Sequence, residues 1–148
     1  MKILFTGASS FTGFWFVQYL AAAGHEIVCP ITSDLQSYTG LRGERIKKLA
    51  PFCAFVPNSP FGSEAFLRVA NEGKFDLFAH HAATVKNYKS ESFDPVAALQ
   101  SNTLNARGAL LSLKCPVVLT GTFYENDEGL GSEPLSAFSP YGLSKGLT

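Results

Sequence analysis

Tyr141 and Lys145 stand four residues apart in the string Tyr141-Gly142-Leu143-Ser144-Lys145, a spacing that puts a phenol and an ammonium on one face of a helix. A free tyrosine, with a pKa of about 10, is a poor base at neutral pH. A neighbouring ammonium favours the phenolate by direct charge attraction. A phenolate so held can take the proton of a carbinol hydroxyl while hydride leaves the carbon. Near the start, Thr6-Gly7-Ala8-Ser9-Ser10-Phe11-Thr12-Gly13 closes an apolar run and opens a helix. That is where backbone N–H groups hold a nucleotide pyrophosphate. The two strings together point to hydride transfer to and from a nicotinamide cofactor.

Gly7, Ser10 and Gly13 fill the positions of a GxxGxxG-type turn, with Ser9, Phe11 and Thr12 between them. Glycine at the first position allows a sharp reversal after the strand, and glycine at the last allows close helix–sheet packing. Ser10, in the middle, adds a Cβ where the ligand comes closest, together with a hydroxyl that could bond a phosphate oxygen. Such turns also occur with no ligand, as plain reversals; the setting between strand and helix favours a cofactor. An acidic residue about twenty positions on binds the adenosine ribose and favours NAD, whereas an arginine favours NADP. Asp34 stands at about that distance, and Arg42 and Arg45 follow it. The alternative is that Asp34 caps a turn and the arginines form a solvated face. The balance is toward NAD, with NADP still admitted.

These residues need a frame to hold them. Ile3–Phe5 is a short apolar run and reads as a buried strand. A helix follows over Phe14–Ala23, closed by Gly24 at C′, and a strand over His25–Ile31. Helical spacing recurs over Leu41–Leu49 and Ser63–Asn71, the second with Ser63 as N-cap and Gly73 closing it. Further strands are expected over Phe52–Val56, Phe75–Ala79 and Val117–Leu119. Pro95–Leu113 reads as one long helix capped by Asp94, and residues 125–140 as a loop in which Glu125, Asp127 and Glu128 are solvated. Alternating strands and helices predict an α/β, doubly wound parallel sheet of Rossmann type in the order 3-2-1-4-5.

With 148 residues the chain is expected to form one domain, and 46% hydrophobic against 16% charged residues argues against disorder. A net charge of zero without basic clusters gives no reason to expect nucleic acid or an anionic membrane as a partner. Cys29, Cys53 and Cys115 are scattered within apolar stretches, without CxxC spacing. They read as reduced thiols of a cytoplasmic protein. Met1-Lys2 runs straight into the first strand, leaving no room for a signal peptide.

In order along the chain, these motifs resemble the extended short-chain dehydrogenase/reductase family, nearest its NAD-dependent epimerase/dehydratase group. Thr6 to Gly13 is similar to the family's TGxxGFxG, departing at Ser10. Asp76-Leu77-Phe78-Ala79-His80-His81-Ala82-Ala83 is similar to its D-x-V-x-H-x-A-A. Asn102 matches the asparagine of its N-x-x-x-T/N helix, Thr120–Tyr124 stands where it has S-S-S-x-x-V-Y-G, and Tyr141 and Lys145 are its YxxxK pair.

The resemblance implies several roles. Tyr141 is the base, Lys145 also holds the nicotinamide ribose hydroxyls, and Thr122 bonds the substrate oxygen, with Thr120 as runner-up. His80, Ala82 and Ala83 line the cofactor, Asn102 supports the lysine, and Asn58 replaces an aspartate near the adenine. The histidines at 80 and 81 lack a carboxylate or cysteine at ligand spacing, so no metal is expected. The implied substrate is a nucleotide sugar, and the full-length form is expected to admit a homodimer. Phe123-Tyr124 follows Thr122 where dehydratases have an Asp-Glu pair, which argues for epimerisation or simple oxidoreduction. A small-carbonyl reductase and a catalytically silent NAD(P)-binding module are the rivals. The resemblance covers only the N-terminal part of a family member. The chain stops three residues after Lys145, so a fragment without the substrate domain is expected.

Overall fold

The computed structural model describes residues 1–125, 137 and 139–148. Asp127 and Glu128, and most of the loop expected over 125–140, lie outside the described residues. Strands β1 (Lys2–Thr6), β2 (Glu26–Pro30), β3 (Ala54–Val56), β4 (Leu77–His80) and β5 (Val117–Leu119) alternate with helices α1 (Phe11–Ala22), α2 (Gly40–Leu49) and α3 (Glu64–Glu72). Helices α4 (Pro95–Asn102) and α5 (Ala106–Ser112) precede β5, and α6 (Pro140–Leu147) ends the chain. The strands form one parallel sheet in the order β3-β2-β1-β4-β5, as the alternation of patterns predicts.

The chain divides into two compact units. The first, Met1–Ala82 with Asn105–Leu119, contains the whole sheet; the second is Ala83–Leu104 with Thr120–Thr148. In the first unit the strands' period of two sorts side chains to opposite faces. Ile3, Phe5, Ile27 and Cys29 join Phe14 and Val17 of α1 and Leu49 of α2 in one cluster. Leu4, Val28 and Phe78 join Phe66 and Ala70 of α3 and Ala109 of α5 in another. Burying each of these large side chains contributes roughly 1.5–3 kcal/mol, so the β1–β2–β4 centre is a well-packed platform. It ends at Thr6 and His80, where the glycine turn begins.

Local chemistry sets most helix ends as the sequence suggests. Ser63 Oγ accepts from the Phe66 N–H and Gly73 is the C-cap of α3. Asp94 accepts from the N–H groups of Val96 and Ala97, with Pro95 at the first position of α4. Gly24 follows α1 with φ +82°. The long helix expected over Pro95–Leu113 is two helices instead. Asn105 adopts φ 47°, ψ 34°, a left-handed conformation that asparagine tolerates better than most residues. Just before it, the Thr103 hydroxyl donates back to the Leu99 carbonyl at 2.8 Å. The break lets α4 end at Asn102 in the second unit, while α5 starts afresh and sends Ala109 and Leu113 into the core of the first. The strand expected from Phe52 begins only at Ala54, because the Phe52 and Cys53 N–H groups turn back to the Leu49 carbonyl at the end of α2.

The three cysteines are free but not equivalent. The hydrogen bond from Cys29 holds the Cys53 thiol below its usual value, partial burial opposing it. The same bond, and then burial, pushes Cys29 well above. Burial, then the charge of Asp76, raises Cys115. Because the thiolate is the nucleophile, Cys53 should be the first alkylated by iodoacetamide near neutral pH, with Cys115 slower and fully buried Cys29 last. Peptide mass mapping over time reads the order; Cys115 reacting first would contradict this electrostatic assignment.

Candidate active site

The turn after β1 is built from the inside. Gly7 has φ +84°, and a Cβ there would stand 2.8 Å from the Ala82 backbone nitrogen. Glycine is therefore required twice, for its conformation and for its closeness to the segment after β4. The Gly7 carbonyl accepts from the Ser10 N–H at 3.0 Å, and a Cβ on Gly13 would collide with that same carbonyl. The last glycine thus closes the turn on itself, a tighter constraint than the helix–sheet packing the sequence suggests.

Ser10 is the N-cap of α1, its Oγ accepting from the Gly13 N–H at 3.0 Å. A hydroxyl that accepts this bond can still donate its own proton. The first N–H groups of a helix have no carbonyl within the helix, so those of Phe11 and Thr12 present the positive end of α1. Ser9 is buried in the turn, and Thr12 Oγ1 lies 2.9 Å from His81 Nε2. At the end of β4 the buried His80 pairs with Thr6 Oγ1 at 2.9 Å, and the Ala82 N–H donates to that hydroxyl at 3.2 Å. His80 thus joins the ends of β1 and β4, and His81 ties the segment after β4 to the first turn of α1. Among the described residues, no group of three or more His, Cys, Asp or Glu could hold a metal ion.

Two candidates that sequence reasoning considered separately meet beyond β2 and β3. Asn58, at φ 52°, donates from Nδ2 to Asp34 Oδ1 at 2.8 Å. Asp34 precedes a 3-10 turn over Leu35–Ser37 without its side chain capping it, so the carboxylate is directed by Asn58 and not by the turn. Arg42 is exposed, whereas Arg45 is half-buried and donates to the Ser9 carbonyl. Arg45 is thus not a fully solvated charge, and one of its donors is given to the turn. First-turn N–H groups, a carboxylate past β2 and an amide past β3 are the polar set that an adenosine pyrophosphate requires. The residues present fit NAD.

The second unit gathers Ala83, Asn102, Thr122, Tyr141 and Lys145. Helix α6 starts with Ser139 Oγ accepting from the Gly142 N–H at 3.1 Å and Pro140 at its first position. A Cβ at Gly142 would strike the Tyr124 carbonyl, so this glycine lets the Phe123–Glu125 turn lie against α6. Half-buried Thr122 immediately precedes that turn. The Tyr141 ring lies 5.2 Å from Tyr88 and 5.9 Å, edge-on, from Phe93. Lys145 is only 9% exposed, an uncommon state for an ammonium, which rules out a surface charge. Buried Asn102 accepts from the Thr84 N–H at 2.9 Å and donates to Thr148 Oγ1 at 3.4 Å. Thr148 Oγ1 in turn donates to the Ser144 carbonyl at 2.7 Å. Asn102 therefore ties the segment after Ala83 to the last turn of the Tyr/Lys helix.

Sequence reasoning missed Arg45's bond to the turn and the aromatic neighbours of Tyr141. Phe93 carried a signal, as the apolar residue just before the N-cap Asp94, where such residues pack back on the helix. Tyr88 carried none.

A parallel sheet ordered 3-2-1-4-5, with a glycine turn at the end of its first strand, defines the doubly wound, dinucleotide-binding class. Within it, the chain belongs to the NAD dependent epimerase/dehydratase family, whose family model matches residues 3–147. No curated protein matches the sequence. Among solved structures it is similar to a UDP-glucose-4-epimerase from Stenotrophomonas maltophila, solved with bound NAD and formylated UDP-arabinopyranose. The identity is 21% and the TM-score 0.71, over 98% of this chain and 45% of that one. It is also similar to the UDP-glucuronic acid 4-epimerase of Bacillus cereus, in complex with UDP-glucuronic acid and NAD (22%, TM-score 0.70, 98% and 49%). A bulky-bulky ketone specific alcohol dehydrogenase from Comamonas testosteroni shares the fold at 15% identity (TM-score 0.64, 99% and 64%). The chain thus spans about half the length of the epimerases it resembles.

Asn102→Ala would leave the Thr84 N–H without its acceptor and should lower stability by about 1–3 kcal/mol. Faster amide exchange should be confined to α4, α6 and residues 83–94. Urea unfolding with site-resolved hydrogen exchange reads both; unchanged protection of α6 would contradict the role given to Asn102.

Proposed function

We propose that this chain is the cofactor-binding part of an NAD-dependent enzyme that oxidises and re-reduces a carbinol carbon of a nucleotide sugar, as an epimerase does. The observation that carries this reading is Lys145, an ammonium withdrawn from solvent one helical turn from Tyr141, in the same unit as the Thr122 hydroxyl. Family membership and the nucleotide-sugar epimerases among the structural neighbours support it. No helix among the described residues is long and apolar enough to cross a membrane. Three free thiols agree with a cytoplasmic setting.

In this proposal the turn Gly7–Gly13, including Ser9, Ser10, Phe11 and Thr12, holds the pyrophosphate. Asp34 and Asn58 take the adenosine end, while His80, Ala82 and Ala83 form the wall after β4. Where it is bound, NAD supplies two-electron redox chemistry at the carbinol carbon. Tyr141 removes the proton of the substrate hydroxyl and returns it in the reverse direction. Lys145 has two tasks: its charge favours the phenolate, and its donors hold ribose hydroxyls. Thr122 bonds the substrate oxygen and keeps it in line with the phenol. A threonine, stiff at χ1, suits that orienting role. Asn102 acts on the lysine's helix through Thr148, without touching substrate. Phe123 and Tyr124, after Thr122, offer no carboxyl pair for eliminating water, which favours epimerisation or oxidoreduction over dehydration.

Calorimetric titration of the chain with NAD and NADP tests cofactor binding, and NAD is expected to bind the tighter. In the full-length enzyme, Tyr141→Phe should lower turnover of the nucleotide sugar by roughly 10²–10⁴-fold, with NAD affinity nearly unchanged. Equal loss of turnover and affinity would contradict the base assignment. Tight NAD binding with no turnover by the full-length parent would make this a silent binding module.

A further inference from the structure

The Ser9–Ser10 peptide of the β1–α1 turn is fixed at both of its polar ends. Its N–H, on Ser10, donates to the Gly7 carbonyl at 3.0 Å. Its carbonyl, on Ser9, accepts from Arg45 Nη1 at 3.2 Å. The same guanidinium lies 5.7 Å from the centre of the Phe11 ring, within the range of a cation–π contact. Arg45 is half-buried on α2, while Phe11 is 64% exposed. Such an aromatic needs a reason to stay ordered at the helix start, and the planar guanidinium face gives it one. A single residue of α2 therefore grips the turn twice, by its carbonyl and by its first helical side chain.

We propose that Arg45 is a positioning residue for pyrophosphate binding. A peptide unit is planar, so holding Ser9 O and Ser10 N–H fixes the plane from which the chain winds into α1. The next two N–H groups, those of Phe11 and Thr12, are then aimed as a pair before any anion arrives. Preorganised donors lose less on binding than donors that must first be ordered. Proximity adds a positive charge beside the helix N-terminus, which favours an anion there as well. Arg45's guanidinium is thus committed to the turn, which separates it from a residue reserved for a ribose 2′-phosphate. This role rests on the NAD reading above and adds to it a residue outside the glycine turn.

The full chain and its Arg45→Ala and Arg45→Lys variants are titrated with NAD, NADP, ADP and adenosine, with circular dichroism confirming that each variant folds. Arg45→Ala should weaken NAD and ADP by about tenfold, while adenosine, which lacks phosphate, moves by no more than about twofold. Arg45→Lys should regain part of the loss, because an ammonium can donate to Ser9 O but offers no planar face to Phe11. Unchanged ADP affinity in Arg45→Ala would overturn the proposal. Equal losses for ADP and adenosine would too, as they would mark general loosening. A loss confined to NADP would also overturn it and assign Arg45 to the 2′-phosphate. Failure of the parent to bind NAD or ADP would sink the NAD reading and this role together, whereas a binding parent with unmoved variants sinks this role alone.

Discussion

Gly7 is the residue on which the geometry of the first unit turns. Its left-handed backbone takes the chain out of β1, and the missing Cβ lets the segment after β4 come up to Ala82. Its carbonyl then does two further things, accepting the Ser10 N–H and leaving no room for a Cβ at Gly13. A side chain at Gly7 would strain the backbone and push β4's exit away in one step. The start of α1, and with it the aim of the first helical N–H groups, depends on this close approach. The rest of the platform is ordinary core packing, with alternating strand residues covered on two faces.

The second unit obeys a different constraint. Helix α6 spans only Pro140–Leu147, a length that is marginal as an isolated helix in water. It is held by a local serine cap and by two contacts that its own sequence does not suggest: a glycine pressed on the Tyr124 carbonyl, and Thr148 joined to Asn102. Tyr88 and Phe93 flank the phenol. Withdrawing Lys145 from water has a cost that a merely structural helix would avoid by placing an apolar residue there. Its placement makes physical sense if the ammonium's field is used on groups nearby.

How far the sequence could be read follows from the range of the interactions. Sheet order was legible because short, continuously apolar runs such as Ile3–Phe5 and Val117–Leu119 alternate with helical spacing, and caps such as Ser63 and Asp94 act within a few residues. The break at Asn105 was not legible. The pattern from Pro95 to Leu113 is helical throughout, and only the separate demands of Asn102 and Ala109 force it to part. At the candidate site, residue types and spacing singled out the glycine turn, Asp34, Tyr141 and Lys145. The Asp34–Asn58 hydrogen bond joins residues 24 positions apart and depends on β2 and β3 being neighbours. Arg45's hold on Ser9, across 36 positions, is longer-ranged still. Nothing in the local sequence marks either contact, so Asn58 was assigned by resemblance alone and Arg45's bond to Ser9 went unread.

If the β1–α1 turn holds the pyrophosphate of NAD, amide-resolved NMR of the ¹⁵N-labelled chain during NAD titration will show it at the turn itself. Large, saturating shifts are expected at Phe11 and Thr12, with smaller ones at Asp34 and Asn58. Saturating shifts that leave the Gly7–Gly13 amides in place, or no shifts at all, would contradict it.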